Sequence, residues 1–371
     1  MNIAIYGSGK FGSILYEKLS KHKDIKVVAF VETVSTKDMV NGIKNVSLDD
    51  FVKMDLYKAD AIVIAISDGR QCENIVKLLG ERNIIDNVYI AGTVLWRSEL
   101  SKNYFYKVNY EKPLVIMPYC ETPIVEHCNL NCRYCSVLCN NKLEKGVVST
   151  ETFEKDIKRM SELCQIIKLR IFGGEPLLHP ELDVILDAAR KYFPDTDIRL
   201  VTNGMLIPKL DSKILASINK NNVIVDISMY KPTILIKEKI ECILNEYSIL
   251  YIFSEVKEFF KWKTIHKGHD KYKSVTVCLS KNCRYLKNGM LSKCSAKYSM
   301  ERIEKQFGVH FDIVENEDWF DIHNPDINMR EVLNKLNDAI NMCSYCTDKE
   351  LEHVEWEGAK AEPELSDYVI M

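Results

Sequence analysis

The sequence predicts an α/β chain in three parts: an N-terminal parallel sheet, a central partial (β/α) barrel, and a small C-terminal extension made of a β-hairpin and a helix. Three observations carry this. Apolar strands alternate with amphipathic helices from residue 2 to about residue 245. Glycine-containing polar turns stand where those strands end. The alternation then stops, and the last hundred or so residues hold a two-residue turn and spaced cysteines instead. The parts are expected at 1–97, 119–275 and 276–371, with a connector at 98–118.

Residues 2–7 read as a strand, the turn Gly7-Ser8-Gly9-Lys10-Phe11-Gly12 follows, and Ile14, Leu15 and Leu19 mark a helix before a second strand, K-V-V-A-F-V. Gly7, Gly9 and Gly12 at this spacing, with Glu32 closing the second strand, form the Rossmann dinucleotide-binding fingerprint. Its glycine-flanked helix N-terminus attracts a pyrophosphate. Three readings stand open: NAD(P), a nucleotide sugar or other nucleotide, and a structural or docking role. The stretch resembles the Rossmann-like domains of proteins in bacterial surface-polysaccharide and sugar-nucleotide pathways. A strand at A-I-V-I-A-I, a helix through Ile75 to Leu79 and a strand at N-V-Y-I-A-G complete this part near Trp96. The connector, with Asn103, Tyr104, Tyr106, Asn109, Tyr110 and Pro113, lacks periodicity and is expected to be ordered.

Alternation returns with strands near 122–126, 166–172, 198–202 and 223–228, and with helices near 150–163, 180–191, 211–219 and 234–245. In such barrels chemistry sits on the loops after strand C-termini. C-N-L-N-C-R-Y-C, G-G-E-P, T-N-G and S-M-Y all fall there. The last part holds the hairpin R-Y-L-K-N-G-M-L-S-K around Asn288-Gly289, a helix near 329–341, and an acidic tail expected as a solvated surface.

Lysine and arginine number 50 against 53 acids, so the net charge of −3 offers no broad positive field to nucleic acid or anionic lipid. Met1 opens directly into a strand and no later apolar run has membrane-spanning length, so a cytoplasmic location is expected. Thirteen cysteines in a chain of this size, odd in number and without an export signal, point to thiolates for metal rather than to disulfides. Cys72, Cys164 and Cys242 sit in apolar or helical contexts and are expected as small buried hydrophobes.

Cys128, Cys132 and Cys135 supply three thiolates on one tight loop, one short of saturating a [4Fe–4S] cluster. Tetrahedral zinc is the alternative for such spacing. Gly173-Gly174-Glu175-Pro176 closes the next strand, where two glycines let the backbone approach a ligand. With this loop and G-G-E-P in place, the sequence resembles the radical S-adenosylmethionine (radical SAM) superfamily. The resemblance implies that the open iron binds the amino and carboxylate groups of S-adenosylmethionine. It further implies Tyr134 beside the adenine, Gly173, Gly174 and Glu175 at the methionyl ammonium, and Thr202, Asn203 and Ser228 near the methionyl and ribose portions. Polar strand ends such as the last three are also common helix caps. The implied chemistry is reductive cleavage to methionine and a 5′-deoxyadenosyl radical, which takes a hydrogen atom from the substrate. An external donor such as flavodoxin or ferredoxin would supply the electron.

Cys278-x10-Gly289-x4-Cys294, followed by Cys343-x2-Cys346, resembles the Twitch extension, a shortened relative of the SPASM domain, and implies one auxiliary [4Fe–4S] cluster. Structural zinc is again the alternative. Hairpin counting instead sets Cys283 opposite Cys294, but the family pattern selects Cys278. His310 and His323 in the intervening gap are expected as surface residues. The preferred function is dehydrogenation or epimerisation of a sugar, cyclitol or nucleotide-linked carbohydrate. The rivals are a peptide-modifying maturase and a non-catalytic iron–sulfur sensor.

Overall fold

The computed structural model describes residues 1–35, 37–55, 58–66, 68–91, 105–256 and 258–371. It divides into two compact units. The first comprises Met1–Pro118 with the short segments Ser161–Lys168 and Phe193–Asp197.

Alternating apolar residues set the first unit. Its strands and helices are β1 (Asn2–Tyr6), α1 (Lys10–Leu19), β2 (Lys26–Glu32), β3 (Met39–Val40), β4 (Ile43–Ser47), α2 (Leu48–Lys53), β5 (Ala61–Ile64), α3 (Gly69–Glu81), β6 (Val88–Ala91) and β7 (Phe105–Lys107). They form one sheet in the order β3-β4-β2-β1-β5-β6-β7, with β4, β2, β1, β5 and β6 parallel. Period two sends Ile3 and Ile5 to the face covered by Leu15 and Leu19 of α1, and Ala4 and Tyr6 to the face covered by Phe51, Ile75 and Leu79. Both faces of the sheet are therefore packed, as a parallel sheet requires.

The connector is more regular than its composition suggests. Phe105–Lys107 pairs antiparallel to β6, and β8 (Ile116–Met117) pairs with Gln165–Ile166. The buried Gln165 amide makes the aperiodic stretch ordered. Its Oε1 accepts from Tyr106 Oη (2.8 Å) and Asn109 N (3.0 Å), and its Nε2 donates to the carbonyls of Asn109 (2.8 Å) and Pro113 (3.1 Å). Trp96, Asn103 and Tyr104, and the boundary drawn at residue 97, lie outside the described residues.

The second unit holds β9 (Cys120–Val125), α4 (Thr150–Leu163), β10 (Gln165–Ile166), β11 (Lys168–Gly173), α5 (Leu182–Tyr192), β12 (Asp197–Thr202), α6 (Ser212–Lys220), β13 (Ile224–Met229), α7 (Lys231–Ile234), α8 (Lys237–Glu246) and β14 (Tyr251–Glu255), apart from the short segments counted with the first. Strand pairing follows chain order, with β9, β11, β12, β13 and β14 as neighbours. All the motif loops consequently emerge at the same strand ends.

The last hundred residues differ from expectation. They add β15 (Glu258–Lys261), α9 (Lys271–Val277), β16 (Tyr285–Lys287), β17 (Met290–Ser292), α10 (Ala296–Phe307), β18 (Trp319–Asp321), α11 (Met329–Asn337) and β19 (Glu352–Glu355). The hairpin has the anticipated register, Lys287 opposite Met290, but it extends the main sheet: β16 lies beside β9, and the order runs β14-β13-β12-β11-β9-β16-β17-β18. Its backbone groups are paired there rather than left as an exposed edge. Helix α10 was legible in Ala296, Met300 and Ile303 and in Gly308, whose φ of +68° ends it. Helix α11 stops at Asn337, short of 341.

Two further expectations fail and a third holds only in part. Cys242 is exposed, because its side of α8 faces outward while Ile240 and Leu244 are buried, whereas Cys72 and Cys164 are buried. His323 is not an isolated surface residue: its Nε2 lies 2.7 Å from Asp156 Oδ1. His310 is exposed and lies beside Glu304. The acidic tail is solvated over much of its length, with Glu352, Glu355, Glu357, Glu362 and Glu364 exposed, but its end is docked, with Asp367, Tyr368 and Val369 buried.

Candidate active site

The three-cysteine loop follows β9 directly, and its geometry depends on the glycines across from it. A Cβ on Gly173 would meet Val125 O at 2.3 Å, and one on Gly174 would meet His127 O at 2.0 Å. The backbone at G-G-E-P therefore lies against the chain leading into the loop, with Gly174 N donating to Val125 O (2.7 Å) and Glu175 N to His127 O (2.9 Å). Close approach here is first to the protein itself.

Cys128, Cys132 and Cys135 line one cavity of about 150 Å³ with Gly173, Gly174, Thr202, Asn203 and Ser228. Cys139, Tyr230 and Phe259 also line it, although the motif gave them no role. Tyr230 and Phe259 stack with centroids 6.0 Å apart, and only the fold brings them together. Cys139 was visible in the spacing as a fourth cysteine within twelve residues. Its thiol hydrogen-bonds to the Cys135 sulfur, which holds Cys135 below the ordinary thiol value while Cys139 rises well above it. Burial pushes Cys128 up to about 12 and Cys132 up to about 11.

Glu175 and Tyr134 are placed differently. Glu175 is fully buried behind the cavity wall, accepting from Leu177 N (3.1 Å), Thr202 Oγ1 (2.6 Å) and Asn203 N (2.9 Å). Burial raises its carboxyl to about 7. The Arg133 guanidinium lies 4.9 Å from the Tyr134 ring centre. Asn203 reaches back to the loop, with Nδ2 2.7 Å from Asn129 Oδ1 and 3.5 Å from Cys128 Sγ.

A second cavity is lined by Cys278, Cys294, Cys343 and Cys346, together with Trp262 and Lys293. Cys283 is not among its lining residues. Lys293 is buried and donates to the carbonyls of Leu336 (2.7 Å) and Asp338 (3.0 Å). Lys263 is buried as well. Burial lowers its ammonium, an effect that negative charge on Cys346, Cys294 and Cys135 opposes.

In the first unit Gly7 has φ +110°, and a Cβ on Gly12 would sit 1.9 Å from Gly7 O, so these two glycines are needed for the turn itself. Gly9 precedes α1 and faces open space. The Glu32 carboxylate accepts from Ser8 Oγ (2.5 Å) and Asn45 Nδ2 (2.9 Å).

The donor set of the first cavity suits an iron–sulfur cluster. Four sulfurs line it with hydroxyl and amide groups, and no carboxylate or imidazole is among its lining residues. Three cysteines on the loop after β9, with G-G-E-P and T-N-G at the ends of the neighbouring strands, form an arrangement that fits a cluster with one open iron. Residues 122–241 match the model of the Radical SAM superfamily, and the chain carries a domain of that superfamily. A [4Fe–4S] cluster and S-adenosylmethionine are its cofactors.

The GTP 3′,8-cyclase of Aliarcobacter butzleri is 33% identical over 111 residues, 29% of this chain and 34% of the relative. The probable GTP 3′,8-cyclase of Methanococcus maripaludis is 34% identical over 104 residues, 28% of this chain and 34% of the relative. The chain thus spans about a third of the length of these curated relatives. Among solved structures, BtrN in complex with AdoMet and 2-DOIA aligns with a TM-score of 0.38 and 14% identity, over 68% of this chain and 98% of that one. Among the described residues no helix is long and apolar enough to cross a membrane.

Proposed function

We propose that this protein is a two-cluster radical SAM enzyme that oxidises or epimerises a sugar, cyclitol or nucleotide-linked carbohydrate. The observation that carries the reading is the presence of two cysteine-lined cavities in one compact unit. Cys128, Cys132 and Cys135 would hold the first cluster. Cys278, Cys294, Cys343 and Cys346 would hold an auxiliary one in a Twitch-like extension of a partial barrel. When bound, the clusters and S-adenosylmethionine would supply one-electron redox chemistry and hydrogen-atom abstraction from the substrate.

The chain's own groups bind and orient. Thr202, Asn203 and Ser228 offer hydroxyl and amide partners to the methionyl and ribose portions, while Tyr230 and Phe259 present a flat apolar wall. Glu175, satisfied by three protein donors behind the cavity wall, holds the ends of β11 and β12 at fixed separation and so positions the residues that line the cavity. The relatives' name gives a nucleotide as what they act on. That favours a nucleotide-linked substrate over a free sugar.

The test is anaerobic reconstitution with S-adenosylmethionine and deuterated sugars, nucleotide sugars, nucleotides and peptides. Deuterium should appear in 5′-deoxyadenosine from a carbohydrate position. Transfer from peptides alone would replace this reading with the maturase, and release of no more than one equivalent of 5′-deoxyadenosine with every substrate would leave the sensor.

A further inference from the structure

The C-terminal segment lies along the three-cysteine loop as a strap. Strand β19 pairs with β15, Gly358 bridges to Cys132, Arg133 N donates to Glu357 O (3.0 Å) and Ala359 N to Asn131 O (2.6 Å). Side chains fasten it further. Arg133 binds Asp367 (2.7 Å) and Glu357 (2.8 Å), and Tyr368 Oη donates to Asn140 Oδ1 (3.0 Å), whose Nδ2 donates to Arg133 O (2.9 Å). Within the strap, Trp356 directs its indole N–H at Cys132 Sγ, 3.2 Å away, while its ring centre lies 6.3 Å from that of Tyr230 on the cavity wall.

We propose that Trp356 is a positioning residue for the cluster site, donating a hydrogen bond to the Cys132 sulfur and held there by the docked strap. The inference rests on the assignment of Cys132 as a cluster ligand. Its physical content is a redox one. A reduced cluster carries one more negative charge than an oxidised one, and a donor aimed at a ligand sulfur stabilises that extra charge. Removing the donor lowers the midpoint potential. The strap also covers one side of the loop, so loosening it admits oxygen.

The experiment is an EPR-monitored redox titration of the reconstituted full-length protein, following the signal that changes when S-adenosylmethionine is added. Trp356→Phe keeps a ring against Tyr230 and removes the N–H. At any fixed solution potential its reduced-to-oxidised ratio should fall about tenfold, a downward shift of about 59 mV for a one-electron couple. Arg133→Met, which releases two of the strap's ion pairs, should shift the midpoint in the same direction and speed bleaching by oxygen. A parental midpoint in either variant, with iron content equal to that of the parent, overturns the proposal. A parent protein that binds no iron would instead remove the cluster assignment beneath it, so the two failures are told apart.

Discussion

Thr202 Oγ1 donates a 2.6 Å hydrogen bond to Glu175 Oε1, so the end of β12 is tied to the turn after β11 by a carboxylate with no exposed surface. Burial raises that carboxyl from 4.5 to about 7. Between these values the folded protein holds a proton that the unfolded chain has lost, so stability falls as pH rises through this window. At 1.36 kcal/mol per unit the loss is about 3 kcal/mol. Thermal melts of the protein without S-adenosylmethionine, taken from pH 4.5 to 7.5, should show this decline in the parent and its absence in Glu175→Gln.

Replacing Cys128, Cys132 or Cys135 with Ala leaves two ligands on the loop. Each variant should lose S-adenosylmethionine cleavage entirely and drop from about eight to about four iron atoms per chain. Zinc in the parent, measured by metal analysis, would sink the cluster reading.

The second cavity separates Cys278 from Cys283. Ala at Cys278, Cys294, Cys343 or Cys346 should each reduce iron from about eight to about four atoms, while Cys283→Ala leaves about eight. Loss of iron in Cys283→Ala with retention in Cys278→Ala would reverse the assignment.

Gly174→Ala sets a methyl group 2.0 Å from His127 O, a backbone atom that cannot yield without moving the cysteine loop. The variant should bind less iron at the first site and melt at a lower temperature than the parent. Normal iron and melting behaviour would show that the loop can shift.

In the first unit the two outer glycines and the middle one should behave oppositely. Gly12→Ala collides with Gly7 O at 1.9 Å and should destabilise the fold, whereas Gly9→Val points into open space and should leave the melting temperature unchanged. If the turn binds a pyrophosphate, Gly9→Val abolishes the thermal shift produced by NAD(P) or a nucleotide sugar in the parent. These point variants are cleaner than deleting residues 1–97, because the first unit's core also contains Ile116 and Ile167. Equal shifts in parent and Gly9→Val would assign the module a structural or docking role.

Local pattern determined a good part of this molecule. Period two and period 3.6 located β1, α1, β11 and α4 to within a few residues, since each buries a face defined by its own sequence. Cysteine spacing likewise marked Cys128, Cys132 and Cys135, because residues three and four apart on one short loop stay close in space, and all three line one cavity. Tertiary structure alone decided the remainder. Tyr230, Phe259 and Trp356 reach the same site from separate elements, and no window of sequence contains all three. The tail is rich in acids and reads as solvated, yet Arg133 gives Asp367 a buried partner 2.7 Å away, and a charge can be buried once it is paired. The hairpin turn was legible in Asn288-Gly289, but its place beside β9 was not, because a strand's neighbour is chosen by unpaired backbone groups that every sequence shares.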